Sequence, residues 1–171
     1  RFENMIPYLP EQKTKQTLNA AQVLQTSSGL SEDLIKKIRD SWDGVFVIKG
    51  ILSTQSADAA MRVGADGFIV SNHGGRQLES APSSVEALER ITKNVRSGST
   101  IMLDSGIRNG SDIIKGYALG ANFTFTGRSF MYGIGAMGDA GAELVLELLM
   151  KDVDTTLAQI GCKGITELND S

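Results

Sequence analysis

Four short apolar runs, each closed by a polar or glycine-rich turn, constrain this chain more than any other feature. They are Val45-Phe46-Val47-Ile48, Gly67-Phe68-Ile69-Val70, Thr100-Ile101-Met102-Leu103 and Asn122-Phe123-Thr124-Phe125. Between them lie helical patterns at Ser56 to Val63, Ser84 to Val95 and Ser111 to Leu119. Short apolar strands alternating with helices specify parallel βα units. Each run is apolar on both faces, as a sheet covered on both sides requires. Two of the helices end alike, in Val63-Gly64-Ala65-Asp66 and Leu119-Gly120-Ala121-Asn122, with glycine where a left-handed cap is expected. A further helix is expected after Ser31, which caps it with Asp33 in the first turn. Leu34, Ile35 and Ile38 form its apolar face, and it ends near Trp42-Asp43-Gly44. After the fourth run, Tyr132 to Ile160 reads as helical. Its stripes are Leu144, Val145, Leu148 and Leu149, then Val153, Leu157 and Ile160, and they are expected to pack on the outside of the strands.

Residues 1–30 lack this periodicity. Pro7, Pro10 and the polar tract Glu11 to Gln16 predict an exposed connection, with a short helix around Thr17 to Gln25. Such a long connection is either a functional lid or disordered. The 171 residues suffice for one domain with a full core. A net charge of −3 gives no sign of a nucleic-acid partner. The single cysteine, Cys162, excludes an internal disulfide and fits a reducing compartment. No apolar run approaches the ~20 residues that span a bilayer, and no metal site is expected. The chain begins with Arg1 rather than a methionine, so its true start is expected to lie upstream.

The polar residues gather at the C-terminal ends of the runs: Lys49, then Ser71 with His73 and Arg76, then Asp104, then Gly127 with Arg128. In parallel α/β architectures that face carries the chemistry. His73 is the only histidine. A neutral imidazole can accept a proton near neutral pH, although a histidine beside glycines also serves as a plain turn residue. Arg76, three residues on, can grip a carboxylate with two parallel hydrogen bonds. Asp104 either caps the helix near Ser111 or lies beside His73 and fixes its tautomer. Lys49 at a strand end needs an anionic partner if buried. The loops Asp104-Ser105-Gly106-Ile107-Arg108 and Gly127-Arg128 combine backbone N–H groups with arginine, a pattern that suits phosphate. Otherwise Arg108 and Arg128 are solvated surface charges.

In order, Lys49-Gly50-Ile51, Ser71-Asn72-His73-Gly74-Gly75-Arg76-Gln77-Leu78, Asp104-Ser105-Gly106-Ile107-Arg108-Asn109-Gly110 and Gly127-Arg128 resemble the FMN-dependent 2-hydroxy-acid dehydrogenases and oxidases. That family includes glycolate oxidase, mandelate dehydrogenase and flavin-linked L-lactate dehydrogenase. The resemblance covers about Ser31 to Leu168, and the Ser-Asn-His-Gly-Gly-Arg-Gln string is highly specific. Many members have a second glycine where this chain has Ser105. The Asp-Ser-Gly-Ile-Arg-Asn-Gly form and Trp42-Asp43-Gly44 look most like the bacterial respiratory L-lactate dehydrogenases, whereas Phe130-Met131-Tyr132-Gly133 is closer to mandelate-type relatives.

The resemblance implies an α/β fold of the TIM (β/α)8 barrel family, here only the last four βα units, a half barrel, plus C-terminal helices. Residues 1–30 would be the end of a mobile active-site loop, and 31–171 the C-terminal half of the barrel. The implied reaction oxidises a lactate-like L-2-hydroxy acid to the 2-oxo acid. His73 would take the hydroxyl proton as the C2 hydrogen leaves for flavin N5. Arg76 would hold the substrate carboxylate, and Asp104 would orient His73 and stabilise its imidazolium. Lys49 would stand at the flavin N1/O2 edge and Ser71 would contact FMN. Asp104, Ser105, Gly106, Ile107 and Arg108, with Gly127 and Arg128, would cradle the ribityl phosphate. The electron acceptor, which the residues do not identify, would be a quinone, a cytochrome or oxygen. The full-length protein is expected to be a homo-oligomer in the cytoplasm or peripheral on the inner membrane. Family members are about twice this length, so the chain is expected to be a fragment, inactive alone. Two alternatives are a non-catalytic half barrel that binds FMN or phosphate, and another FMN barrel such as type 2 isopentenyl-diphosphate isomerase. The three-residue spacing of His73 and Arg76 argues against the latter.

Overall fold

The computed structural model describes residues 30–95 and 98–169. The connection expected over residues 1–30 and its helix around Thr17 to Gln25 lie outside them, Leu30 excepted. Strands β1 (Val47–Ile51), β2 (Gly67–Val70), β3 (Thr100–Asp104) and β4 (Phe123–Phe125) form one sheet, parallel throughout and in sequence order. Among the described residues the α-helices are α1 (Glu32–Asp40), α2 (Thr54–Arg62), α3 (Ser84–Thr92), α4 (Gly110–Ala118), α5 (Arg128–Met137) and α6 (Asp139–Ile160). α2, α3 and α4 each carry the chain from one strand to the next. The four repeated units legible in the sequence are therefore present.

Local chemistry explains where these elements start and stop. Ser31, Ser53, Ser83 and Asn109 cap α1 to α4, each side-chain oxygen accepting the N–H three residues on. This satisfies an amide that the helix itself cannot. α2 and α4 are followed by Gly64 and Gly120 at φ of 89° and 96°. The Gly-Ala-Asx sequence after each helix then forms a clamp. Asp66 N donates to Phe46 O at 2.8 Å while its carboxylate accepts Phe46 N at 2.7 Å. Asn122 N donates to Ile101 O at 2.7 Å while its side-chain oxygen accepts Ile101 N at 2.8 Å. The repeated tetrapeptide thus seats each new strand against the one before it.

β1 begins two residues later than its apolar run. Asp66 takes the Phe46 amide, and Val45 is left exposed. The strand instead continues through Lys49 and Gly50, where Gly50 adopts φ 99° and the register slips between Lys49 and Ile51. Lys49 therefore stands within the strand at a bulge rather than at its end. Such an irregularity re-aims the neighbouring side chains.

One face of the sheet is fully covered. Phe68, Val70 and Leu103 are wholly buried against Ala57 and Ala60 of α2 and Ala87, Leu88 and Ile91 of α3. The other face is not: Ile69 and Met102 are half-buried and Phe123 is 52% exposed. Cover on both faces, expected from the doubly apolar runs, is thus met on one. The expected α1 stripe also stays open, with Leu34 and Ile38 exposed. The expected helical tail breaks at Gly138 (φ 63°) into α5 and α6. α6 packs on α4 through Leu157, Ile114 and Val153, and the Asp152 carboxylate accepts Gly110 N at 2.6 Å. Leu149 and Leu157 are buried, whereas Leu144, Leu148 and Ile160 are exposed.

The clamps predict a measurable penalty. Asn122→Ala removes the acceptor for Ile101 N and is expected to lower stability by about 1 kcal/mol. A urea unfolding midpoint that does not move would show that the clamp contributes nothing.

Candidate active site

At the C-terminal end of β2 the chain enters Ser71, which is fully buried. A buried hydroxyl has one proton to give and two lone pairs to fill. Here all three are used. Ser71 Oγ accepts Lys49 Nζ at 3.0 Å and His73 N at 3.1 Å, and donates to Asp104 Oδ2 at 2.6 Å. Lys49 Nζ also donates to Asp104 Oδ2 at 2.6 Å. The bulge in β1, the end of β2 and the end of β3 therefore meet on one carboxylate. Burial by itself would raise the Asp104 pKa. Hydrogen bonds from Lys49 and Ser71, the Lys49 charge and the Ser105 backbone amide outweigh it and hold the carboxyl below its ordinary value.

His73 opens a single 3-10 turn, His73–Gly75. Asn72 anchors this turn: its N–H donates to Ser84 Oγ at 3.1 Å and its side-chain oxygen accepts Gly74 N at 3.0 Å. His73 itself adopts φ 57°, a region that costs a non-glycine residue energy and is concentrated at functional sites. Its ring lies over β1: a Cβ built on Gly50 would stand 3.0 Å from His73 Cε1. Only glycine satisfies both the positive φ and that close approach. In the neighbouring loop, Thr126 Oγ1 donates to Ile107 O at 2.8 Å and ties the turns after β3 and β4 together.

These loops surround one cavity of about 680 Å³. Lys49, His73, Arg76, Asp104, Ser105, Gly106, Ile107, Arg108, Gly127 and Arg128 all line it, while Ser71 lies sealed within the cluster beside it. The cavity thus gathers four cationic side chains and one carboxylate in a chain whose net charge is −3. Among the described residues Arg76 and Arg128 make no ion pair, and Arg108 Nε is 3.7 Å from Asp112. α5 starts at the cavity edge with no side-chain cap on its first amides, an arrangement suited to an anion. An imidazole, a guanidinium and an anion cradle around one space can together hold a small acid and accept its proton.

Two expectations about Asp104 meet a different geometry. It does not cap the following helix, which Asn109 does. Among the described residues it also makes no hydrogen bond to the His73 ring; its Oδ2 accepts from Lys49 and Ser71 instead. Sequence reading did not single out Gly50, Asn72 or Thr126 as site residues. A glycine after a strand lysine and an asparagine before His-Gly-Gly were the available signals for the first two; nothing marked Thr126.

Comparison with known proteins follows the same outline. Residues 3–171 match the family model described as FMN-dependent dehydrogenase. The L-lactate dehydrogenase of Vibrio cholerae is 49% identical over 132 residues, which is 77% of this chain and 35% of that protein. The (S)-mandelate dehydrogenase of Pseudomonas putida is 44% identical over 145 residues, 85% of this chain and 36% of that protein. A solved structure of (S)-mandelate dehydrogenase, described as a monotopic membrane protein, superposes with a TM-score of 0.82 at 41% identity. It covers 94% of this chain and 43% of that one. The chain spans about a third of the length of the curated relatives it matches. Its four parallel βα units are a fragment of the (β/α)8 barrel of these enzymes.

Asp104 predicts how the cluster responds to pH. Its carboxyl titrates lower in the folded chain than in the unfolded one. The stability it contributes is therefore fully present above the ordinary carboxylate value and is lost as pH falls through the lowered one. Lys49→Met leaves the burial and removes a leading opposing bond. Asp104 is then expected to titrate at higher pH than in the unsubstituted chain, as followed by its side-chain 13C signal. An unaltered titration would remove Lys49 from the cluster.

Proposed function

The chain belongs to the FMN-dependent dehydrogenase family, and on that premise we propose that it is the C-terminal part of an enzyme oxidising a lactate-like L-2-hydroxy acid to the 2-oxo acid. The observation that supports this reading is the convergence of His73, Arg76, Asp104, Lys49 and Arg128 on one cavity at the C-terminal ends of parallel strands. The donor set fits FMN. Arg108, Arg128 and the uncapped first turn of α5 offer charge and amides to a phosphate. Lys49 offers an ammonium at the β1 side of the same space.

When bound, FMN supplies the acceptor for the C2 hydrogen and its electron pair. The protein's own residues do the rest. The Arg76 guanidinium binds the substrate carboxylate, which fixes the 2-hydroxyl relative to His73. The His73 imidazole accepts the hydroxyl proton and becomes cationic. The nearby Asp104 charge stabilises that cation through space, without a direct hydrogen bond in this structure. Lys49 balances Asp104 before the proton moves and is positioned to offset negative charge arising in the cavity.

The Vibrio cholerae and Pseudomonas putida relatives bear the names of two different 2-hydroxy-acid enzymes, and the lactate assignment follows the higher identity. No described helix is long and apolar enough to cross a membrane. Peripheral attachment at the inner membrane and a quinone, cytochrome or oxygen acceptor belong to the same proposal. So does homo-oligomer assembly of the complete enzyme.

His73→Gln tests the base directly, in a chimera where this chain replaces the matching segment of the Vibrio cholerae relative. Flavin absorbance is expected to persist while lactate turnover falls roughly a hundredfold or more. Turnover at the unsubstituted level would take His73 out of the mechanism. The 171-residue chain alone, mixed with FMN, is expected to show no lactate-dependent dye reduction. Clear reduction would overturn the view that it is an incomplete half.

A further inference from the structure

Among the described residues only two that are not glycine adopt a left-handed φ, and both stand at this cavity: His73 at 57° and Ser105 at 80°. Strain at a histidine that bears the chemistry needs no separate explanation. Strain at Ser105 does, because glycine would relieve it. The backbone conformation therefore gives no reason for a side chain here, and the reason must lie in the hydroxyl.

That hydroxyl has a specific assignment. Ser105 Oγ accepts Gly74 N at 3.0 Å and lies 3.3 Å from Asp104 Oδ2 and 3.3 Å from Ser71 Oγ. Ser71 has already spent its proton on Asp104 and filled its lone pairs with Lys49 and His73 N. The Ser105 proton therefore goes to Asp104, and its lone pair is free for the Gly74 amide. The hydroxyl bridges the carboxylate at the end of β3 to the residue immediately after His73. Asn72 shares the Gly74 amide from within the same loop, so of the two Gly74 partners Ser105 is the one that refers the turn to β3, beside the link from His73 N through Ser71 to Asp104.

We infer that Ser105 is a positioning residue for His73: its hydroxyl locks the His73-Gly74 turn to Asp104 and so sets where the imidazole stands over Gly50. This inference rests on the reading of His73 as the base, but its test requires neither turnover nor flavin. His73 is the sole histidine, so a histidine-labelled chain gives one set of ring signals by NMR. Two variants separate the hydroxyl from the backbone. Ser105→Ala keeps the strained conformation and loses the hydroxyl; Ser105→Gly loses the hydroxyl and relieves the strain.

If the hydroxyl positions His73, both variants show the same change: displaced or doubled ring signals, and Gly74 amide exchange faster by about five- to tenfold, the scale of one lost hydrogen bond. Ser105→Gly is expected to melt at a higher temperature than Ser105→Ala even though the ring signals change alike. Ring signals and Gly74 exchange that stay as in the unsubstituted chain, or that change in Ser105→Ala and return in Ser105→Gly, overturn the inference. Should Ser105→Ala fail to fold, the unstrained Ser105→Gly decides it alone. Failure of the His73 mechanism shows as retained turnover in the His73→Gln chimera, whereas failure here shows in the ring signals, so the two are told apart.

Discussion

The Asp104 carboxylate is the point at which the sheet and the site become one object. A single oxygen accepts hydrogen bonds from Lys49 on β1 and Ser71 beyond β2, with Ser105 alongside. A partly buried carboxylate is costly to strip of water unless each lone pair finds a donor. The three segments that supply donors are adjacent because the strands run parallel in sequence order. The desolvation that would raise its pKa is overcome by those donors. Removing any of them leaves a charge that the remaining structure must accommodate.

Electrostatics at the cavity follow from that cluster. Lys49 is neutralised locally by Asp104, which leaves Arg76, Arg108 and Arg128 as the charge facing the space. Arg128 stands close to the His73 turn, since a Cβ on Gly74 would lie 3.4 Å from its Nη2. Arg128 at the start of α5 and the loop that carries the imidazole are thus neighbours. An anion seated at the first turn of α5 and an acid beside His73 would share one field. The cavity is cationic although the chain as a whole is acidic, which separates the local task from the bulk charge.

The sheet carries helices on one face and leaves apolar side chains showing on the other. Phe123 and Phe125, with ring centroids 5.0 Å apart, lie on that uncovered face. In a closed barrel that face is the interior, filled by side chains from every strand. The family match and the share of the relatives' length agree with this geometry. They explain why the runs read as apolar on both sides while only one side is buried here.

What the sequence by itself determined was local or periodic. The strand–helix alternation, the Ser31 cap, the terminal glycines Gly64 and Gly120 and the clustering of His73, Arg76, Asp104 and Arg128 at strand ends depend on residues near one another in the chain. The His-Gly-Gly-Arg string was specific enough to indicate the family. Tertiary structure decided the rest. It delayed β1, because Asp66, twenty residues on, takes the Phe46 amide. It placed Lys49 at a bulge and gave Asp104 to Lys49 and Ser71 rather than to the His73 ring. It also made Gly50 the floor under the imidazole and Ser105 the tie above it. Which donor reaches a shared acceptor depends on inter-strand register and on a single backbone irregularity. Neither leaves a trace in the local pattern of residues, so the gathering of these side chains was legible in outline and their wiring was not.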